Sequence, residues 1–178
     1  SQHGGVYQAW GKYDKAIEIY EEGLKVVKRA PQTALMLAKS YIGIGAYSKA
    51  IAAIDRGIEC TADSQPSVNL SSLLWTRAEA KDSLVHAGES LDKESLQKSI
   101  ESAITDYKAA ISMPDCISVY KYRGPQRINL LLLYAGNHEI DVDVDVDVDV
   151  DVDEGEDSSN DMLRGLLEKF GALKAASA

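Results

Sequence analysis

The sequence predicts an all-α fold. The expectation is an α-solenoid of about three antiparallel helix pairs, a partial fourth unit, an acidic disordered linker and a C-terminal helix. Three observations carry it. The first is an echo: shifted by 34 residues, Tyr7, Gly11, Tyr13, Lys15, Ala16, Ile17 and Gly23 fall on Tyr41, Gly45, Tyr47, Lys49, Ala50, Ile51 and Gly57. Gly4 falls on Ala38, Tyr20 on Ile54 and Leu24 on Ile58 in the same shift. A fixed period of this size marks stacked repeats. The second is apolar spacing near 3.6 residues in each segment up to residue 140. The third is a strip at 141–161 with nine Asp, two Glu and no Lys or Arg. The boundaries that follow are a helical repeat domain over 1–140, an acidic low-complexity linker over 141–159 and an amphipathic helix over 160–178.

Residues 1–10 read as the end of a first helix, with Tyr7 facing inward and Gly11 ending it, because glycine accepts the left-handed conformation without strain. That register places Ser1 inside a helix, so the chain is expected to be a piece of a longer protein. A second helix runs over 13–27, with Ala16, Ile17, Tyr20, Leu24 and Val27 on its apolar face. Pro31 suits the first turn of the next helix, which is expected over 32–44 and its partner over 47–60. Gly45 repeats the role of Gly11. The stretch "TADSQPSVN" is turn chemistry.

The third unit is stretched. Leu70, Leu73, Leu74, Ala78 and Leu84 fit one helix, and Leu96, Ile100, Ala103, Tyr107, Ala110 and Ile111 fit its partner. Ala103 comes 13 residues late relative to the second unit, so longer helices or an extended turn are expected around "VHAGESLDKE". A fourth unit begins at "GPQRINLLLLYAGNHE", with Pro125 in the first turn and Gly136-Asn137-His138 at the stop. Alternating Asp and Val then has the period of a strand, but it puts uncompensated charge on one face, and disorder is the expected state. Met162, Leu163, Leu166, Leu167, Phe170 and Leu173 restore a helical stripe, capped by Asn160 or Asp161. This helix is expected to cover the apolar face of 126–135.

The units "GGVYQAWGKYDKAIEIYEEGLKVV" and "ALMLAKSYIGIGAYSKAIAAIDRGIE" resemble tetratricopeptide repeats. Ala34, Leu37, Ala38, Tyr41, Gly45, Tyr47, Ala50, Ile54 and Gly57 stand at that family's positions. The resemblance implies a concave groove for a protein or peptide segment, lined by the first helix of each pair. Carrying the register over gives Leu35, Met36, Lys39 and Ile42, then Trp75, Thr76 and Glu79, as groove residues. One subclass of the family clamps the C-terminal carboxylate of heat-shock chaperones with Lys, Asn and Arg. Here Met36 stands in place of the Asn and only Arg77 matches a basic position, so that clamp is not expected.

No catalytic group, cofactor or metal site is expected. His3, His86 and His138 have no metal-ligand spacing, and neither do Cys60 and Cys116, which read as reduced residues in or near helix packing. No phosphate loop or nucleophile elbow occurs. A calcium loop starting at Asp149 would put Gly155 seventh and Asn160 twelfth, out of register. The net charge of −9 resides in the strip; subtracting its eleven acids from 28 leaves 17 against 19 bases elsewhere. Asp141, Asp143, Asp145, Asp147, Asp149, Asp151 and Asp153 would repel nucleic acid. No apolar run approaches the roughly 20 residues that span a bilayer, so no membrane partner is expected, and a cytoplasmic or nuclear placement is. The leading function is a peptide-binding scaffold. The alternatives are an escort for a basic client of histone or ribosomal type, using the acidic strip, and a docking module of a larger enzyme. Asn69-Leu70-Ser71 reads as a chance sequon, and Ser158 and Ser159 as an acidic kinase context.

Overall fold

The computed structural model describes residues 2–27, 30–61, 70–87, 92–114 and 116–144. The linker expected beyond Val144, the expected C-terminal helix with its apolar stripe, Asn69, Ser158 and Ser159 all lie outside the described residues. Residues 1–144 form one compact unit, so the unit extends four residues into the acidic strip.

Seven helices occur among the described residues, and no strand. They are α1 (Gln2–Ala9), α2 (Tyr13–Val26), α3 (Pro31–Gly43), α4 (Tyr47–Thr61), α5 (Leu70–His86), α6 (Lys93–Ser112) and α7 (Ser118–Asn137). Each packs on the next in sequence, and α3 also packs on α5. The helices therefore pair as α1/α2, α3/α4 and α5/α6, with α7 opening a fourth pair. Gly11 and Gly45 hold φ of 70° and 76° at the ends of the first two turns, the left-handed stop expected of them.

The core follows the echo. Ala16 and Ala50 are fully buried, as are Ala38 and Ile54. Gly4 is tighter than its counterpart Ala38, because a Cβ there would lie 2.6 Å from the Tyr20 ring. The first repeat combines a large residue at 20 with no side chain at 4; the second combines a smaller residue at 54 with a methyl at 38. Val27 departs from the expected apolar face and is largely exposed. Helix α2 ends at Val26, and Val27 is extended, its N–H closing on the Gly23 carbonyl.

The stretching of the third unit resolves into three parts. Helix α5 runs three residues further past Ala78 than α3 runs past Ala38, its connection to α6 is three residues longer, and α6 starts seven residues earlier relative to Ala103. Asp92 caps the longer α6, accepting the Ser95 N–H at 2.9 Å. Here α5 is enclosed by α3, α4 and α6, and charged ties join the helices. Arg77 donates to Asp55 of α4 at 2.7 Å and to Asp106 of α6 at 2.8 and 2.7 Å. Lys81 donates to Ser102 and Asp106, both at 2.7 Å. Buried Asp82 accepts the Tyr107 hydroxyl at 3.0 Å. Ser71 donates to the Ala110 carbonyl at 2.9 Å.

The fourth unit corrects the expected helix start. Helix α7 begins at Ser118, and Pro125 lies inside it rather than in its first turn. Proline removes one intrahelical hydrogen bond, but packing carries the helix through. Gly124 comes so close to α6 that a Cβ would meet Ile111 at 2.6 Å. The helix also runs through Gly136, and the left-handed residue is Glu139 (φ 54°). Ile140 is then buried, Val142 and Val144 are half-buried, and Asp141 and Asp143 are exposed. The Asp143 N–H donates to Glu101 of α6 at 3.2 Å.

Candidate peptide-binding surface

The sequence-predicted groove residues fall on α3 and α5, two of the helices that, with α7, open successive pairs. On α3, Met36, Lys39 and Ile42 are half-buried and Leu35 is buried. On α5, Glu79 is half-buried, whereas Trp75 and Thr76 are buried. Leu35, Trp75 and Thr76 are therefore packing residues, not groove-facing ones. Trp75 stacks on Tyr120 of α7 with ring centroids 4.3 Å apart and meets Tyr107 of α6 edge-on at 5.0 Å. The register of a regular repeat exposes position 75 only when the next helix stays clear of it. Because α7 starts seven residues before Pro125, Tyr120 lies over the indole. A Tyr at 120 and a Gly at 124, one helical turn apart, are the sequence trace of this closure. The Thr76 hydroxyl has no hydrogen-bond partner among the described residues.

Glu79 gathers what remains. Burial raises its carboxyl above the usual range, against a hydrogen bond from Trp75 and the nearby charges of Arg127 and Lys39, which hold it down. Lys39, Glu79 and Arg127 come from α3, α5 and α7, so a row of alternating charge crosses three consecutive opening helices. The repeat register does not point to Arg127, which also reaches Asp82 at 3.4 Å. Arg77 is occupied by Asp55 and Asp106, and these neighbours raise its pKa further.

A second concavity lies between α2 and α4. Its volume is about 650 Å³, and it is lined by Glu21, Leu24, Lys25, Leu37, Tyr41, Lys49, Ala52, Ala53 and Arg56. Leu37 and Tyr41 supply its floor from the side of α3 opposite Lys39 and Ile42, as the helical period requires. The Tyr41 hydroxyl donates to Glu21. Burial, this bond and the Glu21 charge push the phenol up to about 12. Lys49 lies over the Tyr41 ring, 5.8 Å from its centroid. No described helix is long and apolar enough to cross a membrane.

The tetratricopeptide repeat family model matches residues 9–72, which span α2, α3, α4 and the start of α5. No curated protein and no solved structure matches the chain. Repeats of this family generally mediate protein–protein interaction and are typically non-catalytic. The 34-residue echo, the paired helices and the glycine stops at 11 and 45 agree with this match, so the stretch 9–72 is similar to tetratricopeptide repeats.

Proposed function

We propose that the chain is a scaffold that binds a segment of a partner protein across α3, α5 and α7. The observation that carries this reading is the row Lys39–Glu79–Arg127 beside the half-buried Met36 and Ile42. Long side chains with apolar stems and charged heads can cover a peptide while pairing with its polar groups. The charges fix register and partner choice, and the apolar positions supply contact area. In this reading the array spans 1–140, an acidic linker 141–159 and a terminal helix 160–178.

The test is selection of displayed peptides on the full chain. Binders are expected to lose about tenfold or more in affinity on the double change Met36→Ala and Arg127→Ala, with helicity unchanged. Binders indifferent to that change would refute the site.

A second reading is an escort for a basic client through Asp141–Asp153. It is supported by the outward Asp141 and Asp143 beside inward Ile140 and Val142. Removing 145–159 is then expected to weaken capture of a basic client and flatten its salt dependence. An unchanged salt slope would refute it.

A further inference from the structure

The groove between α2 and α4 lies on the other side of the array from the surface proposed above, and its chemistry is different. Its floor is apolar: Leu24, Leu37 and Ala53 are buried yet line the concavity. Its charged groups are three cations, Lys25, Lys49 and Arg56, against the single carboxylate of Glu21. That carboxylate already accepts the Tyr41 hydroxyl. Lys49 and Arg56 form no ion pair among the described residues, and Lys25 pairs only with Glu22 of its own helix. Both members of that pair are about 70% exposed, so the pair is weak and readily exchanged. A low floor with cations at its edges is complementary to a ligand that is apolar beneath and anionic above.

We propose that this groove docks an extended acidic peptide of a partner protein, in which small apolar side chains alternate with carboxylates. An extended chain turns successive side chains to opposite faces. One set then lies on Leu24, Leu37 and Ala53 while the other stays at the level that Lys25, Lys49 and Arg56 reach on their flexible stems. Ala52 and Ala53, with their short side chains, leave room on the α4 side for the inward-facing set. The chain adopts this alternation once itself. Ile140, Val142 and Val144 turn inward and Asp141 and Asp143 outward where the chain passes Glu101 of α6. That contact is on the third helix pair, whereas the groove belongs to the first two.

The experiment is fluorescence anisotropy with the full chain and a labelled peptide of alternating Val and Asp. Saturable binding that weakens several-fold as salt rises is expected. The double change Lys49→Glu and Arg56→Glu, both at exposed positions, is expected to weaken it by about tenfold or more. A peptide of alternating Val and Asn should bind no better than that variant. Hydrogen exchange should slow in α2 and α4. The change Met36→Ala with Arg127→Ala should leave this peptide unaffected, which separates failure here from failure of the scaffold surface. Absence of binding, equal binding by the charge-reversed chain, or equal binding of the Val-Asn peptide would overturn the proposal. So would a tenfold gain on removing 145–159, which would make the chain's own strip the occupant.

Discussion

The two repeats differ in how they fill one contact, and that difference can be measured. In the first, Gly4 lies beneath the Tyr20 ring; in the second, Ala38 and Ile54 hold the equivalent places. The change Gly4→Ala puts a methyl 2.6 and 2.7 Å from ring carbons of Tyr20, about 1 Å inside an ordinary carbon contact. Tyr20 is only 2% exposed, so the ring has little room to retreat. Replacing glycine by alanine in a helix gains about 0.5–1 kcal/mol, and overpacking costs about 1–3 kcal/mol; a net loss of about 1–2 kcal/mol is expected. Tyr20→Ile alone opens a void above Gly4 and should cost about 2 kcal/mol. Together the two changes recreate the second repeat's pair. The double variant should therefore be more stable than the sum of the single effects by about 1.5 kcal/mol, roughly the overlap removed. Urea denaturation of the full chain and its three variants gives this coupling directly, with amide exchange in α1 as a local readout. Additivity within about 0.5 kcal/mol would refute the idea that these residues compensate one another.

The remaining predictions concern single sites. Gly23→Ala should stabilise the chain by about 0.5–1 kcal/mol, because the new methyl meets only Thr33 at 3.7 Å. Its echo Gly57→Ala should gain less or lose, since Ala34 and Leu73 stand at 3.1 and 3.2 Å; thermal melts compare the two. Thr76→Val removes a buried hydroxyl without a described partner and should raise stability by about 1 kcal/mol in chemical denaturation. Arg77→Leu leaves the buried Asp106 carboxylate with Lys81 as its remaining cation and should cost about 3 kcal/mol in the same assay. Tyr41→Phe should cost about 1 kcal/mol at neutral pH. The folded chain holds the Tyr41 proton more tightly than the unfolded chain, so this contribution is complete below pH 10 and fades towards about 12. Stability curves of parent and variant should converge across that window; parallel curves would contradict the assignment.

The repeat period made the first two helix pairs legible to within a residue or two, because glycine stops and small-residue crossings leave identities in the sequence. The third pair was legible in kind but not in length, since α5 is enclosed by three helices and its buried face includes Ser71, Thr76 and Asp82. Pro125 points to a boundary because proline usually marks one, yet α7 starts at Ser118, where the close approach at Gly124 outweighs that local preference. The expected groove differs for the same reason: Trp75 and Thr76 are buried, and Tyr120 of the unanticipated first turns of α7 covers Trp75. Met36, Lys39, Ile42 and Glu79 retain some access to solvent, and Arg127 joins them only through tertiary proximity. The cationic trough between α2 and α4 had no sequence motif, because its residues come from three helices at spacings that no local pattern connects.

The indole enclosed by Tyr107 and Tyr120 gives the chain a built-in optical reporter. Only two tryptophans are present. Trp10 is 67% exposed near the start of the array, and Trp75 is 4% exposed beneath α7. Release of α7 would bring water to Trp75 and shift its emission to the red, while Trp10 would respond to events in the first pair. Single-tryptophan variants would therefore show whether the array melts from one end in stages or as one cooperative block, and which end lets go first.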